Sequence, residues 1–132
     1  FDKYYSDVVE YSGGNPGEIT IDGITYAHYF VSGISGRPLQ SVHHAQALTM
    51  KRFNSSTCGH SHLFDYHVAK DSSGATKQAL VVGMYQDYIS PWAGKSTCNL
   101  WTSGVCIKRN VEGGCYDLQH ISMEALKREY GK

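Results

Sequence analysis

The sequence predicts an α+β domain with a mostly antiparallel sheet, on three observations. Short β-branched and aromatic runs alternate with turn residues along most of the chain. Helical spacing of apolar residues occurs in only two segments, near 41–53 and near 122–130. The composition agrees, because 10 tyrosines and 14 glycines in 132 residues favour strands and loops over a helical bundle.

Strands are predicted wherever β-branched or aromatic residues lie between turn residues. The first two strands flank Asp22-Gly23, a pair typical of a two-residue hairpin turn. The predicted strands cover 18–21, 24–29, 55–58, 63–69, 78–85, 104–109 and 115–118. A long loop is expected at 32–38 before the first helix, and Ser122 is a suitable N-cap for the second helix.

The chain is long enough to bury one hydrophobic core, so residues 1–132 are expected to form a single domain or half-domain. The predicted core residues are Ile19, Ile21, Ile24, Tyr26, Leu48, Leu80, Val82, Val105, Ile107, Ile121 and Leu126.

Charge and cysteine usage narrow the functional classes. The 12 basic and 12 acidic residues cancel, so bulk charge does not indicate nucleic acid as a partner. The longest apolar stretch, 79–82, is far too short to cross a bilayer, so no membrane partner is expected. No secretory signal is visible and the four cysteines form no CxxC pair, which together predict free thiols and a cytoplasmic location.

The strongest chemical signal is the tetrapeptide Gly59-His60-Ser61-His62, which follows a predicted strand. Two histidines at positions i and i+2 of a turn can direct both imidazoles into one cleft, and Gly59 is expected to provide the bend. A third histidine, His28, ends the second predicted strand. Because imidazole is the commonest protein ligand for divalent first-row metals, these three histidines are predicted metal ligands.

In order and spacing, these residues resemble the C-terminal half of a calcineurin-like metallophosphoesterase, especially the versions found in phage and bacterial genomes. In that family one strand ends in a metal-binding histidine, a loop and a helix follow, and the next strand ends in Gly-His-x-His. Here the matching positions are His28 and Gly59-His60-Ser61-His62, and the similarity extends over about 18–130. The resemblance implies half of an α/β-type sandwich and a hydrolase that cleaves phosphate mono- or diesters.

The resemblance also implies the cofactor and the role of each histidine. Two divalent ions (Mn, Fe, Zn, Ni or Mg) would form a dinuclear centre that binds a phosphoester substrate and activates water. By position, His28 and His60 would bind one ion and His62 the other.

Three further residues have open interpretations. Asp65 would accept the second ring N–H of a ligating histidine, or would cap the strand after the turn. Arg37 would contact a substrate phosphate, or is a solvated loop residue. His44 would face the cleft, or is a partly exposed residue at the start of the helix.

A group of aromatic residues lies near the end of the strand predicted at 78–85. Tyr85, Tyr88 and Trp92 either cover the core and the sheet edge or form an aromatic rim around a substrate site.

The chain departs from the family pattern in its acidic motifs. The D-x-H, G-D-x-x-D and G-N-H motifs of the family are absent before His28. Asp65-Tyr66-His67 has the D-x-H form but lies within a predicted strand, so it is interpreted as a coincidence. Residue 1 is Phe, so the chain is expected to be a fragment or processed product. A missing N-terminal segment or self-association would then complete the site.

Two alternatives remain open at this point. The chain is a non-catalytic binding or structural domain, or His28, His60 and His62 hold one zinc ion with water as the fourth ligand.

Overall fold

The computed structural model describes residues 13–33, 35–88 and 91–131, which contain seven strands and three helices. The strands are β1 (Ile19–Ile21), β2 (Ile24–Tyr26), β3 (Ser55–Cys58), β4 (Phe64–Lys70), β5 (Thr76–Val82), β6 (Gly104–Glu112) and β7 (Cys115–Ser122). The helices are α1 (His44–Arg52), α2 (Lys95–Cys98) and α3 (Met123–Tyr130). No helix in these ranges is long and apolar enough to span a membrane.

The strands form a five-stranded sheet in the order β1-β2-β3-β5-β4 and a separate β6-β7 hairpin. In the larger sheet β2, β3 and β5 run parallel, while β1 and β4 join its edges in antiparallel pairs. Three of the five pairings of described strands are antiparallel, which confirms the predicted α+β class. The parallel centre matters for function, because parallel strands present their carboxyl ends at one edge of a sheet.

The two hairpin turns follow the glycine signals. Asp22 and Gly23 both have positive φ, 49° and 79°, as the predicted two-residue turn between β1 and β2 requires. In the β6–β7 hairpin the turn consists of Gly113 and Gly114, with φ of 55° and 87°, and is shorter than the 110–114 gap between the two predicted strands. Both strands are consequently longer than the 104–109 and 115–118 predicted from the sequence.

The two predicted helices are present, and a third was missed. Helix α1 begins at His44 and ends before Phe53, whose φ of 57° stops it. The Oγ atom of Ser122 accepts the Ala125 N–H of α3 at 3.3 Å, which confirms the predicted N-cap. Helix α2 escaped prediction because four residues are too few to show an apolar period.

The core forms two clusters that alternate along β5. Ala79 and Val81 pack with residues of α1, whereas Leu80 packs with Tyr116 of β7. Successive residues of a strand face opposite sides of the sheet, so the helix and the hairpin cover different faces.

The predicted core is right at its centre and wrong at its edge. Ile24, Leu48 and Leu80 are fully buried as expected. Ile21 is 51% exposed because β1 is a three-residue strand at the edge of the sheet. The sequence prediction missed Phe30 and Leu39, which are buried although they lie outside any strand or helix.

Candidate functional site

His28 and His60 come from the carboxyl ends of two neighbouring parallel strands. His28 lies two residues beyond β2, and His60 lies two residues beyond β3. The pairing of the two segments continues past the strands, since Gly59 donates its N–H to the His28 carbonyl at 3.1 Å. This register brings the His60 Nδ1 atom within 3.0 Å of the His28 Nε2 atom.

Residues 59–62, here called the histidine turn, have an unusual backbone. His60 and His62 both lie in the left-handed region, with φ of 66° and 60°. Gly59 does not have positive φ, so the expectation that it provides the bend is wrong. Ordinary side chains seldom adopt this conformation, and it is concentrated at active and binding sites.

The histidine turn separates its two imidazoles. The His62 ring packs edge-on against Trp101, with ring centroids 4.5 Å apart, while the His60 ring lies 4.9 Å from those of His28 and Tyr29. Within the described ranges, no group of three or more histidine, cysteine, aspartate or glutamate side chains converges on a metal position. The structure therefore pairs His28 with His60 and places His62 apart.

Burial favours the neutral form of His60. Loss of solvent lowers the pKa of the His60 imidazole, and the neighbouring His28 and His62 lower it further. A neutral imidazole nitrogen is the form that binds a metal ion.

His44 is completely buried beneath the histidine turn. Its Nδ1 atom is 3.3 Å from the Ser61 Oγ atom. Burial lowers the pKa of this imidazole, an effect that the charge of Asp65 partly offsets. The interpretation of His44 as a partly exposed residue is wrong, because the first turn of α1 packs against the sheet; His43 is the exposed one of the pair.

Asp65 binds the N-terminus of α1 rather than an imidazole. Its Oδ2 atom accepts the Ala45 N–H at 2.8 Å. His43, at the N-cap position, makes no side-chain hydrogen bond to the helix, so Asp65 supplies a cap from β4.

Arg37 lies on a separate, exposed turn. Its carbonyl accepts the Ser32 N–H at 2.8 Å, and its own N–H donates to the Ser35 Oγ atom at 3.3 Å. The structure places the Arg37 side chain neither beside the three histidines nor in the cavity next to them.

The cavity lies beside the histidine turn, where the spacing of His60 and His62 predicts a cleft. It has a volume of about 400 Å³, and both His60 and His62 contribute to its wall. Trp92 and Trp101 line it with their ring centroids 5.8 Å apart. Trp92 is 78% exposed, so it does not cover the core. Of the aromatic group that the sequence offers as a rim, the described cavity wall contains Trp92 but not Tyr85 or Tyr88.

The four cysteines are free thiols and take no part in this site. Cys58 is the buried last residue of β3, and burial raises the pKa of its thiol to about 12.

Comparison of the chain with models of known protein families, with curated proteins and with solved structures finds no match. Its function is therefore inferred from its residues and their geometry.

Proposed function

We propose that this chain is the C-terminal part of a metal-dependent phosphoesterase, in which His28 and His60 bind one divalent metal ion and His62 binds a second. The observation that carries the proposal is the 3.0 Å separation between the His60 Nδ1 and His28 Nε2 atoms. Two neighbouring nitrogen ligands of one ion, each about 2.0–2.1 Å from it, lie roughly 3 Å apart. The separation therefore suits two ligands of a single ion.

The position of the site in the sheet supports the same function. Ligands of open α/β sheets bind in the crevice beyond the carboxyl ends of parallel strands, where β2 and β3 deliver His28 and His60. The His60 ring contacts His28 and Tyr29 whereas the His62 ring contacts Trp101, which suits ligands of two ions.

The metal ions, when bound, would lower the pKa of a coordinated water and offset the negative charge of the phosphate. The residues of the chain would bind the ions and hold the ligating side chains in position. His28, His60 and His62 provide neutral nitrogen ligands, His44 supports the histidine turn through Ser61, and Asp65 fixes the helix that carries His44. The substrate is a phosphate mono- or diester, and Mn, Fe, Zn, Ni and Mg all suit such ligands.

The proposal requires further ligands. The acidic and asparagine motifs that the resemblance implies are absent before His28, and Asp65-Tyr66-His67, the one match to D-x-H, lies within β4 with Asp65 bound to the N-terminus of α1. The carboxylates must therefore come from a preceding segment or from a second copy of the chain. Self-association would be measured by sedimentation of the chain with and without metal.

A mononuclear zinc site is the weaker candidate. It needs three nitrogen atoms that converge on one point, whereas the His62 ring packs against Trp101, away from the His28–His60 pair.

The test is the metal content of the full 132-residue chain, measured by elemental analysis after dialysis against Zn²⁺ or Mn²⁺. His28→Ala and His60→Ala should each lose the same ion, and His62→Ala should retain it. His43→Ala, an exposed histidine next to the site, is the matched control. His28 and His60, with water in the remaining positions, should hold one ion even without those further ligands. A hydrogen bond between two neutral imidazoles gives the same 3.0 Å separation. Wild-type chain that binds no metal would therefore refute the assignment of His28 and His60 as ligands of one ion.

A further inference from the structure

The cavity beside the histidine turn has the dimensions and position of a substrate site. Its volume of about 400 Å³ lies within the range of small-molecule sites. His60 and His62 form part of its wall, so a molecule inside it would reach the imidazoles directly. Trp92, which also lines the cavity, is 78% exposed.

The lining is aromatic and uncharged. Trp92, Trp101, Leu63, Leu100 and Val42 provide apolar surface, and three of them are among the exposed large apolar side chains of the structure. Of the described residues in the wall, none carries a carboxylate, ammonium or guanidinium group. A charged portion of a ligand would therefore lie at the histidines, and an uncharged portion would lie between the tryptophans.

The polar groups of the wall suit the edge of a flat heterocycle. Gln40 offers an amide donor and acceptor, and Ser41 and Thr97 offer hydroxyl groups. These three residues are exposed, so their polar groups are free to turn toward a ligand. A nucleobase has donors and acceptors along its edge to meet them and a π-face for stacking, which an aliphatic chain lacks.

We propose that this cavity binds the nucleobase of a nucleotide substrate, with the base stacked on Trp92 and the phosphate at His28, His60 and His62. This inference rests on the proposed phosphoesterase function and names its substrate class. Trp101 links the two parts, since its ring contacts both the His62 ring and the Trp92 ring.

The sequence allows a direct test. The chain has only two tryptophans, and both line this cavity, so tryptophan fluorescence reports on the cavity alone. The probes are adenosine 5′-monophosphate and ribose 5-phosphate, which differ only in the base. The nucleotide should quench the fluorescence saturably. Ribose 5-phosphate should not quench it and, through its phosphate alone, should compete only at much higher concentration.

The variants locate the base. Trp92→Ala should weaken nucleotide binding by about tenfold, because base–aromatic stacking contributes an effect of this order, and Trp92→Phe should retain most of the affinity. Trp101 remains as the reporter in both variants. Tyr130→Ala removes an aromatic side chain of similar exposure, 71%, from the end of α3 and should leave binding unchanged.

The outcomes distinguish failure of the base site from failure of the proposed phosphoesterase function. Equal affinity for the two probes, absence of nucleotide binding, or unchanged affinity in Trp92→Ala would overturn the base site even if the metal titration succeeds. Nucleotide binding that depends on Trp92 in a chain that binds no metal would support the base site and refute the phosphoesterase.

Discussion

At the scale of single residues, His44 connects α1 to the histidine turn. It is the first residue of the helix, it is fully buried, and it contacts Ser61 between the two candidate ligands of that turn. A buried imidazole in this position supports the left-handed backbone on both sides of Ser61. We interpret His44 as a positioning residue that acts on His60 and His62 through Ser61.

His44→Ala should lower the free energy of unfolding by about 2–4 kcal/mol, because it leaves a cavity and removes the partner of Ser61. His43→Ala, at the adjacent exposed position, should change it by less than about 0.5 kcal/mol. Urea denaturation of both variants measures the difference. Equal effects would show that His44 does not support the histidine turn.

At the scale of elements, α1 depends on a cap from another strand. The helix has no acidic residue in its first turn and no side-chain cap at His43, and Asp65 of β4 accepts the Ala45 N–H instead. The cap lies 20 residues away in sequence. Local capping signals therefore could not reveal it.

Asp65→Ala should destabilise the chain by about 1 kcal/mol, the usual loss when a helix cap is removed. Asp65→Asn should lose less, because its amide oxygen still accepts the N–H although the favourable charge at the helix N-terminus is gone. Thermal unfolding of the two variants tests this order. The reverse order would mean that an acceptor oxygen at position 65 does not stabilise the N-terminus of α1.

The tips of the two hairpins are in close contact at a pair of glycines. Gly114 donates its N–H to the Asp22 carbonyl at 2.8 Å, and a Cβ atom on Gly23 would lie 2.7 Å from the Gly114 nitrogen. Both glycines have positive φ. This contact joins the β1–β2 hairpin to the β6–β7 hairpin.

Gly23→Ala should cost about 2–4 kcal/mol, since it adds a clash with backbone to the penalty for a left-handed alanine. Gly74→Ala is the matched control, because Gly74 has a φ of +85° and a Cβ atom added there would meet no other atom within 4 Å. It should cost only about 1–2 kcal/mol. Chemical denaturation compares the two, and equal losses would show that the hairpin contact contributes nothing.

At the scale of the whole molecule, Lys108 of β6 joins the hairpin to the larger sheet. Its ammonium donates to the hydroxyls of Tyr26 and Thr57 and lies over the Tyr26 and Tyr116 rings. Burial lowers the pKa of Lys108 to about 8, although Cys106 acts in the opposite direction. The folded chain therefore releases this proton at a lower pH than the unfolded chain.

Stability should consequently rise between about pH 8 and about pH 10, where the unfolded lysine still holds its proton. The gain is about 1 kcal/mol after allowance for solvent around the half-buried side chain. Lys108→Met should abolish this rise. The free energy of unfolding is measured against pH for the wild-type chain and the variant, and the difference between the two profiles is the contribution of Lys108. If the Lys108→Met variant shows a rise of the same size, another titrating group is responsible for it.

Sequence reasoning succeeded where the signals were local. The hairpin at Asp22-Gly23, helix α3 with its Ser122 cap and the buried Ile24 and Leu80 all follow from adjacent residues. The predicted strand ends also bring His28 and His60 together, with 3.0 Å between the His28 Nε2 and His60 Nδ1 atoms.

Sequence reasoning failed where contacts between distant segments determine the structure. The burial of His44, the cap from Asp65 and the cavity between Trp92 and the histidine turn depend on tertiary contacts that no periodicity records.

The central claim is that His28 and His60 hold one metal ion while His62 holds another. A double-mutant cycle on Zn²⁺ affinity, measured by isothermal titration calorimetry, tests it most directly. We expect strongly non-additive losses for His28→Ala combined with His60→Ala, and additive losses when either is combined with His62→Ala. Equal coupling among all three histidines, or an affinity that none of the substitutions changes, would contradict the claim.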